Sequence, residues 1–190
     1  MTAGLIVPNS CITIKNVGIN PTRDGMIQVC KQMGGKVILE NERMISGEPV
    51  ADITVYTSSL KGITIGGDLI PTLIDEIPII AILACFADGD TIIKDASELK
   101  VKESNRIDVM VENLSAMGAD IEATEDGMII HGGKPLHGAT IKSYDDHRIA
   151  MSFAIASLVA DGETTIDHPD CVTISYPNFY SDLAGLIPLR

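Results

Sequence analysis

The chain has 190 residues, and its 26 acidic against 14 basic side chains give a formal charge of −12. That balance repels phosphate backbones and anionic lipid, which makes nucleic acid and membrane surfaces poor partners. Hydrophobic residues at 45% and charged residues at 21% describe a globular core and exclude disorder, collagen and coiled coil.

From the amino end, Leu5-Ile6-Val7-Pro8-Asn9 reads as the last turn of a buried helix whose start is not in the sequence, leading into a strand over Ile12 to Asn16. Met26, Val29, Cys30 and Met33 then fall at helical spacing. That helix stops at Met33-Gly34, where glycine takes a left-handed conformation at low cost. Lys36 to Glu40 and Leu60 to Ile65 are predicted strands. Ile77 to Ala87 is apolar on nearly every face, so it predicts a core helix, too short to cross a membrane.

The pattern then recurs. Ala87-Asp88-Gly89-Asp90-Thr91 closes that helix and opens a strand at Ile92. Ala160-Asp161-Gly162-Glu163-Thr164 does the same after a second apolar helix, Ile149 to Ala160. Between them the order of the first copy repeats. A helix carries Ile107, Met110, Val111, Leu114 and Met117 and stops at Met117-Gly118. Strands follow at Ala119 to Ala123, Met128 to His131 and Leu136 to Ile141. A third amphipathic segment, Tyr180 to Leu186, begins a further copy. The expectation is an α/β fold of βαβαββ-like repeats turned inside out, with buried helices and outer sheets, spanning 1–190 as a single domain. Beginning inside one helix and stopping before the last strands, such a domain would bury unpaired edges, so a fragment of something larger is expected.

Cys11, Cys30, Cys85 and Cys171 form no CxxC pair and have no histidine at ligand spacing, which predicts free thiols and no metal site. No leader pattern is present at the amino end, which points to the cytoplasm.

Charged residues, among them two lysines and two arginines, gather at three predicted helix starts: Leu73-Ile74-Asp75-Glu76-Ile77-Pro78, Lys100-Val101-Lys102-Glu103-Ser104-Asn105-Arg106 and Tyr144-Asp145-Asp146-His147-Arg148. Helix starts offer N–H groups and partial positive charge to anions. Arginine adds a planar fork matched to carboxylate or phosphate. A carboxylate beside such a clamp suits proton transfer to a phosphorylated or carboxylated substrate.

Leu99 to Arg106 and Tyr144 to Met151, with Ile74-Asp75-Glu76 and Tyr176-Pro177-Asn178-Phe179, resemble the 3-phosphoshikimate 1-carboxyvinyltransferase (EPSP synthase) family in its C-terminal portion. The resemblance implies transfer of the enolpyruvyl group of phosphoenolpyruvate to the 5-hydroxyl of shikimate 3-phosphate, releasing phosphate, with no metal or organic cofactor. The partner it implies is the N-terminal domain of the same enzyme, without which the chain is expected to be inactive. By the same resemblance Asp75 is the catalytic base that also contacts the shikimate hydroxyls, and Glu103 exchanges protons with the enolpyruvyl methylene carbon. Lys102 binds shikimate 3-phosphate, Arg106 and Arg148 clamp phosphoenolpyruvate, and His147 sits beside them. Ile174 stands where many members have a lysine, so the resemblance implies that one phosphoenolpyruvate contact of those members is missing or supplied otherwise.

Each residue has a plainer reading. Asp75 alone fits a helix cap, Glu103 and Arg106 a solvated ion pair, His147 a structural histidine, and Lys100 with Lys102 ordinary surface charges. His131, His137 and His168 read as structural. Two other functions stay open: a related transferase acting on a UDP-amino sugar, and a non-catalytic anion-binding module.

Overall fold

Three apolar helices pack against one another and the sheets are laid around them. The computed structural model describes residues 1–186. Its elements run α1 (Thr2–Ile6), β1 (Cys11–Gly18), α2 (Gly25–Gln32), β2 (Lys36–Ile45), β3 (Glu48–Tyr56), β4 (Leu60–Lys61), β5 (Thr64–Ile65), α3 (Ile77–Cys85), β6 (Ala87–Asp88) and β7 (Asp90–Ile93). They continue as α4 (Arg106–Ala116), β8 (Asp120–Ala123), β9 (Met128–His131), β10 (Thr140–Ile141), α5 (His147–Ser157), β11 (Thr165–Ile166) and α6 (Phe179–Leu186). Helices α1, α3 and α5, one from each repeat, touch each other. Every residue of α3 except Ile79 is buried. Full burial of a side chain such as Leu83 stabilises by about 1.5–3 kcal/mol, which is why a helix with no polar side goes inside. The inside-out α/β arrangement is therefore observed.

The sheets repeat as the sequence does. β1-β3-β2 form an antiparallel sheet and β5-β7-β9-β8 a four-stranded one, while β4-β6 and β10-β11 are short parallel pairs. Matching positions make matching bonds. Lys61 N–H donates to Met33 O and His137 N–H to Met117 O, each at 2.9 Å. Gly62 N–H donates to Asp88 O at 2.8 Å, and Gly138 N–H to Asp161 O at 2.6 Å. Both Met-Gly helix stops hold glycine at φ 86°.

Several boundaries differ from expectation. Leu60–Ile65 and Leu136–Ile141 are not continuous strands, because each is interrupted where its glycine slides under the backbone of the next strand. A Cβ on Gly62 would lie 2.2 Å from Asp90 O, and one on Gly138 would lie 2.1 Å from Glu163 O. The second apolar helix ends at Ser157 and leaves Met151 and Ile155 half-buried. β2 runs on to Ile45, past Glu40, and β3, the central strand of its sheet, was not anticipated. β3 is buried on both faces over Val50, Ala51, Ile53, Thr54 and Val55, so it lacks the alternation that marks a half-exposed strand. On either side of it the ladder shifts register, and Asp52 accepts the Asn16 N–H and an Asn41 Nδ2–H there. Tyr180 to Leu186 is helical within α6, but none of its residues is buried.

Replacing Gly62 or Gly138 by Ala is expected to cost about 1–3 kcal/mol, because backbone rather than a flexible side chain must move. Gly18→Ala, which meets nothing within 4 Å, should stay within about 0.5 kcal/mol of the parent. Urea unfolding of the three variants checks both statements.

Candidate active site

The starts of α4 and α5 converge on one buried carboxylate, and the turn ahead of α3 joins them through Arg106. Asp146 caps α5, accepting the Arg148 N–H at 2.9 Å and the Ile149 N–H at 3.4 Å through Oδ1. Its Oδ2 accepts the Ser104 hydroxyl at 2.9 Å and Arg106 Nε–H at 2.9 Å, while Arg106 Nη2 reaches Oδ1 at 3.3 Å. Both partners are sealed from solvent, with side-chain exposures of 0% for Asp146 and 1% for Arg106. Arg106 is the first residue of α4, so this pair ties the ends of two helices together.

At α4 and α5 the expectation that helix starts leave free N–H groups for an anion needs correction. At α5 the N–H groups of Arg148 and Ile149 already bond Asp146, and at α4 the Asp108 N–H bonds the Asn105 side chain. A capping carboxylate or amide satisfies the donors that a ligand would otherwise find. At these two starts positive charge for an anion then comes from side chains.

Arg106 continues outward. Its Nη1 donates to Asp75 Oδ1 at 3.4 Å and its Nη2 to Glu103 Oε2 at 2.6 Å. Asp75 lies in the 3-10 turn Ile74–Glu76 ahead of α3 and makes no cap bond there, so it is not a helix cap. Lys102 Nζ and Arg148 Nη2 also stand 3.5 Å from its carboxylate, and Arg148 Nη1 donates to Asp75 O at 3.0 Å. Asp75, Lys102, Glu103, Arg106 and Arg148 therefore meet. His147, the first residue of α5, is half-buried, and its side chain makes no hydrogen bond or ion pair among the described residues. Lys100 turns away to bond Glu125 O. His131 pairs with Asp90 and His168 with Asp145, outside the cluster.

The two arginines differ. A guanidinium has five N–H donors, and Arg106 spends four of them on Asp146, Glu103 and Asp75. Arg148 is 31% exposed and borders a pocket of about 200 Å³ lined also by Asp75, Glu76, Ile79, Met151 and Phe179. A larger groove, of about 620 Å³, runs between α1, β1 and α6 and holds none of the candidate residues. Ile174 is 81% exposed, at the end of the turn Pro169–Ile174. Among the described residues, no group of His, Cys, Asp and Glu is placed to hold a metal ion, and no helix is long and apolar enough to cross a membrane.

Burial alone would push the Asp146 carboxyl up, but the hydrogen bonds and charge of Arg106, with Ser104 and the Arg148 N–H, hold it below the ordinary carboxylate value. At Asp75, too, desolvation is outweighed, here by the charges of Arg148, Lys102 and Arg106. Lys102 is held above its ordinary value, first by its bond to Glu98 and then, against desolvation, by Asp75. Sequence reasoning assigned no role to Asp146 or Ser104. The signal was there in Asp146, an acidic residue directly before a helix, but a capping aspartate and a buried counter-ion are spelled alike.

The family model for EPSP synthase (3-phosphoshikimate 1-carboxyvinyltransferase) matches residues 1–183. The chain belongs to the EPSP synthase family. A curated member from Thermoanaerobacter sp. (strain X514), named 3-phosphoshikimate 1-carboxyvinyltransferase, is 62% identical over 180 residues, covering 95% of this chain and 43% of that protein. EPSP synthase from Acinetobacter baumannii superposes with a TM-score of 0.93 at 45% identity, over 97% of this chain and 43% of that one. The enolpyruvyl transferase NikO from Streptomyces tendae, at 20% identity and a TM-score of 0.76, shares the fold. The chain thus spans less than half the length of the EPSP synthases it matches.

Both aspartates are more acidic folded than unfolded, so the stability they add is complete above the unfolded value near 4 and is lost as pH falls through their folded values. Urea midpoints measured from pH 7 down to pH 2 should fall below about pH 4, and Asp146→Asn should flatten that fall while lowering the midpoint at pH 7. A variant with the parent's acid profile would refute the assignment.

Proposed function

We propose that this chain forms one face of an enolpyruvyl transferase site acting on phosphoenolpyruvate and shikimate 3-phosphate, the remaining face coming from the length that its relatives carry in addition. The observation that carries the reading is the meeting of Lys102, Arg106 and Arg148 around the Asp75 carboxylate, with Glu103 held by Arg106 beside it, in a chain of this family. The names of its relatives favour shikimate 3-phosphate over a UDP-amino sugar as acceptor.

In this reading Arg148 and Lys102, the half-buried cations nearest the surface of the cluster, receive the phosphate and carboxylate groups of the substrates. Asp75 accepts the proton of the 5-hydroxyl as its oxygen bonds the central carbon of phosphoenolpyruvate. Glu103, half-exposed at the rim, enters protonated, delivers that proton to the methylene carbon and takes one back as phosphate leaves, while Asp75 passes the hydroxyl proton to the departing phosphate. An Asp75 held this acidic is a weak base. Substrate anions that draw Arg148 and Lys102 away from it raise its basicity, so binding prepares the base. His147 stands beside Arg148 on the first turn of α5, and its role is to border the phosphoenolpyruvate site.

Charge limits what the chain does unaided. Lys102, Arg106 and Arg148 face the carboxylates of Asp75, Glu76, Glu98, Glu103 and Asp146, so the cluster attracts an anion weakly until further cations join it. The 190-residue chain alone is expected to release no phosphate from phosphoenolpyruvate plus shikimate 3-phosphate, because an open face neither excludes water nor orients both substrates. Supplying the additional segment of the Thermoanaerobacter relative should restore turnover. Turnover by the isolated chain, or none with the segment supplied, would overturn the reading. In the isolated chain phosphoenolpyruvate should bind in the millimolar range, about 4 kcal/mol. Amide shifts in NMR titration should centre on residues 102–106 and 146–149 and vanish in Arg148→Ala; shifts elsewhere would exclude even an anion-binding module.

A further inference from the structure

Asp146 touches no open surface, yet three elements depend on it. Its carboxylate accepts from the backbone of α5, from Ser104 in the loop before α4, and from Arg106 at the start of α4. It is presented by Tyr144 and Asp145, both in the left-handed region at φ 53° and 56°. A non-glycine residue there costs on the order of 1–3 kcal/mol and persists only where its surroundings over-determine it. Here they do: Tyr144 Oη–H donates to Glu112, Asp145 pairs with His168, and Ser143 N–H donates to Asp167. The strained turn delivers one carboxylate into the protein interior.

From the proposed function, and resting on it, we infer that Asp146 is the positioning residue of the site. It fixes Arg106 in the orientation from which that guanidinium reaches Asp75 and Glu103 together, and it acts on those two carboxylates through Arg106. Two of the Arg106 donors are fastened to Asp146, which aims the remaining nitrogen, Nη1, and the second hydrogen of Nη2 at the two candidate proton-transfer carboxylates. Released from Asp146, the guanidinium would rotate, and Glu103 would lose its 2.6 Å partner.

Asparagine is the discriminating substitution, because its amide has an acceptor on one side only. Turned so that its oxygen serves the α5 N–H groups, it presents N–H to the Nε–H of Arg106. Turned the other way, it uncaps the helix. Ser104→Ala removes one hydrogen bond to the same carboxylate and leaves the charge, so it is a milder companion that does not depend on Asp146→Asn folding.

The test has two arms. In ¹H–¹⁵N spectra of the 190-residue chain, Arg106 Nε–H should appear as a peak protected from solvent exchange, identified by its loss in Arg106→Lys. It should lose protection in Asp146→Asn and keep it, with faster exchange, in Ser104→Ala. In the enzyme completed with the Thermoanaerobacter segment, kcat per folded molecule, measured well below each variant's Tm, should fall about 100-fold in Asp146→Asn and several-fold in Ser104→Ala. KM for phosphoenolpyruvate should change by less than about threefold, because the binding cations Lys102 and Arg148 remain. A lowered Tm with unchanged kcat would make Asp146 a structural brace only and overturn the inference, as would a protected Nε–H in folded Asp146→Asn. If Asp146→Asn does not fold, an unchanged kcat and exchange rate in Ser104→Ala overturn it. If the completed parent enzyme transfers no enolpyruvyl group, the functional reading falls, and the inference of a site-positioning residue falls with it; protection of Nε–H then still reports whether the pair itself is formed.

Discussion

The buried pair of Arg106 and Asp146 is the constraint on which the rest of the site hangs. Taking both charges out of water costs several kcal/mol per ion, repaid only when geometry is good and the remaining donors and acceptors find partners. Here Asp146 gains the α5 N–H groups and Ser104, and Arg106 gains Asp75 and Glu103. Such a pair is weak evidence for stability but strong evidence for geometry, since losing either partner leaves a buried charge alone. What it fixes is the relative placement of α4 and α5, and with it the distance between residues some forty positions apart in the chain.

The inside-out fold makes that constraint possible. With α1, α3 and α5 in the middle and the sheets outside, the starts of α3 and α5 open at one end of the core, and α4 packs on both helices. The repeat gives each inner helix a similar entrance, so charged residues placed at equivalent points in sequence arrive side by side in space. Gly62 and Gly138 keep the copies in register by letting one strand's backbone pass against the next.

Much of this was legible. Two Ala-Asp-Gly junctions and two Met-Gly stops betray the repeat, and an apolar run with no polar side has to be an inner helix. The charged runs before Ile77, Ile107 and Ile149 mark the candidate site, and Asp75, Lys102, Glu103, Arg106 and Arg148 do come together. What was hidden depends on contacts distant in sequence. β3 hides because a strand buried on both faces loses its alternation. The broken strands hide because nothing local shows which glycine will pass under another strand. Arg106 and Asp146 hide their burial because charged residues at helix starts are exposed far more often than not, and only the fold brings each the counter-charge that lets it go inside.

The most direct measurement is a double-mutant cycle on urea unfolding of the chain, comparing the parent with Arg106→Met, Asp146→Leu and the double variant. The account predicts that the single variants are each strongly destabilised, by about 3–5 kcal/mol for the uncompensated buried charge. It also predicts that the double variant is less destabilised than their sum, with a coupling above about 1.5 kcal/mol. Single effects that add to within about 0.5 kcal/mol would contradict it, for then Arg106 and Asp146 would not depend on each other and the cluster would have no common anchor.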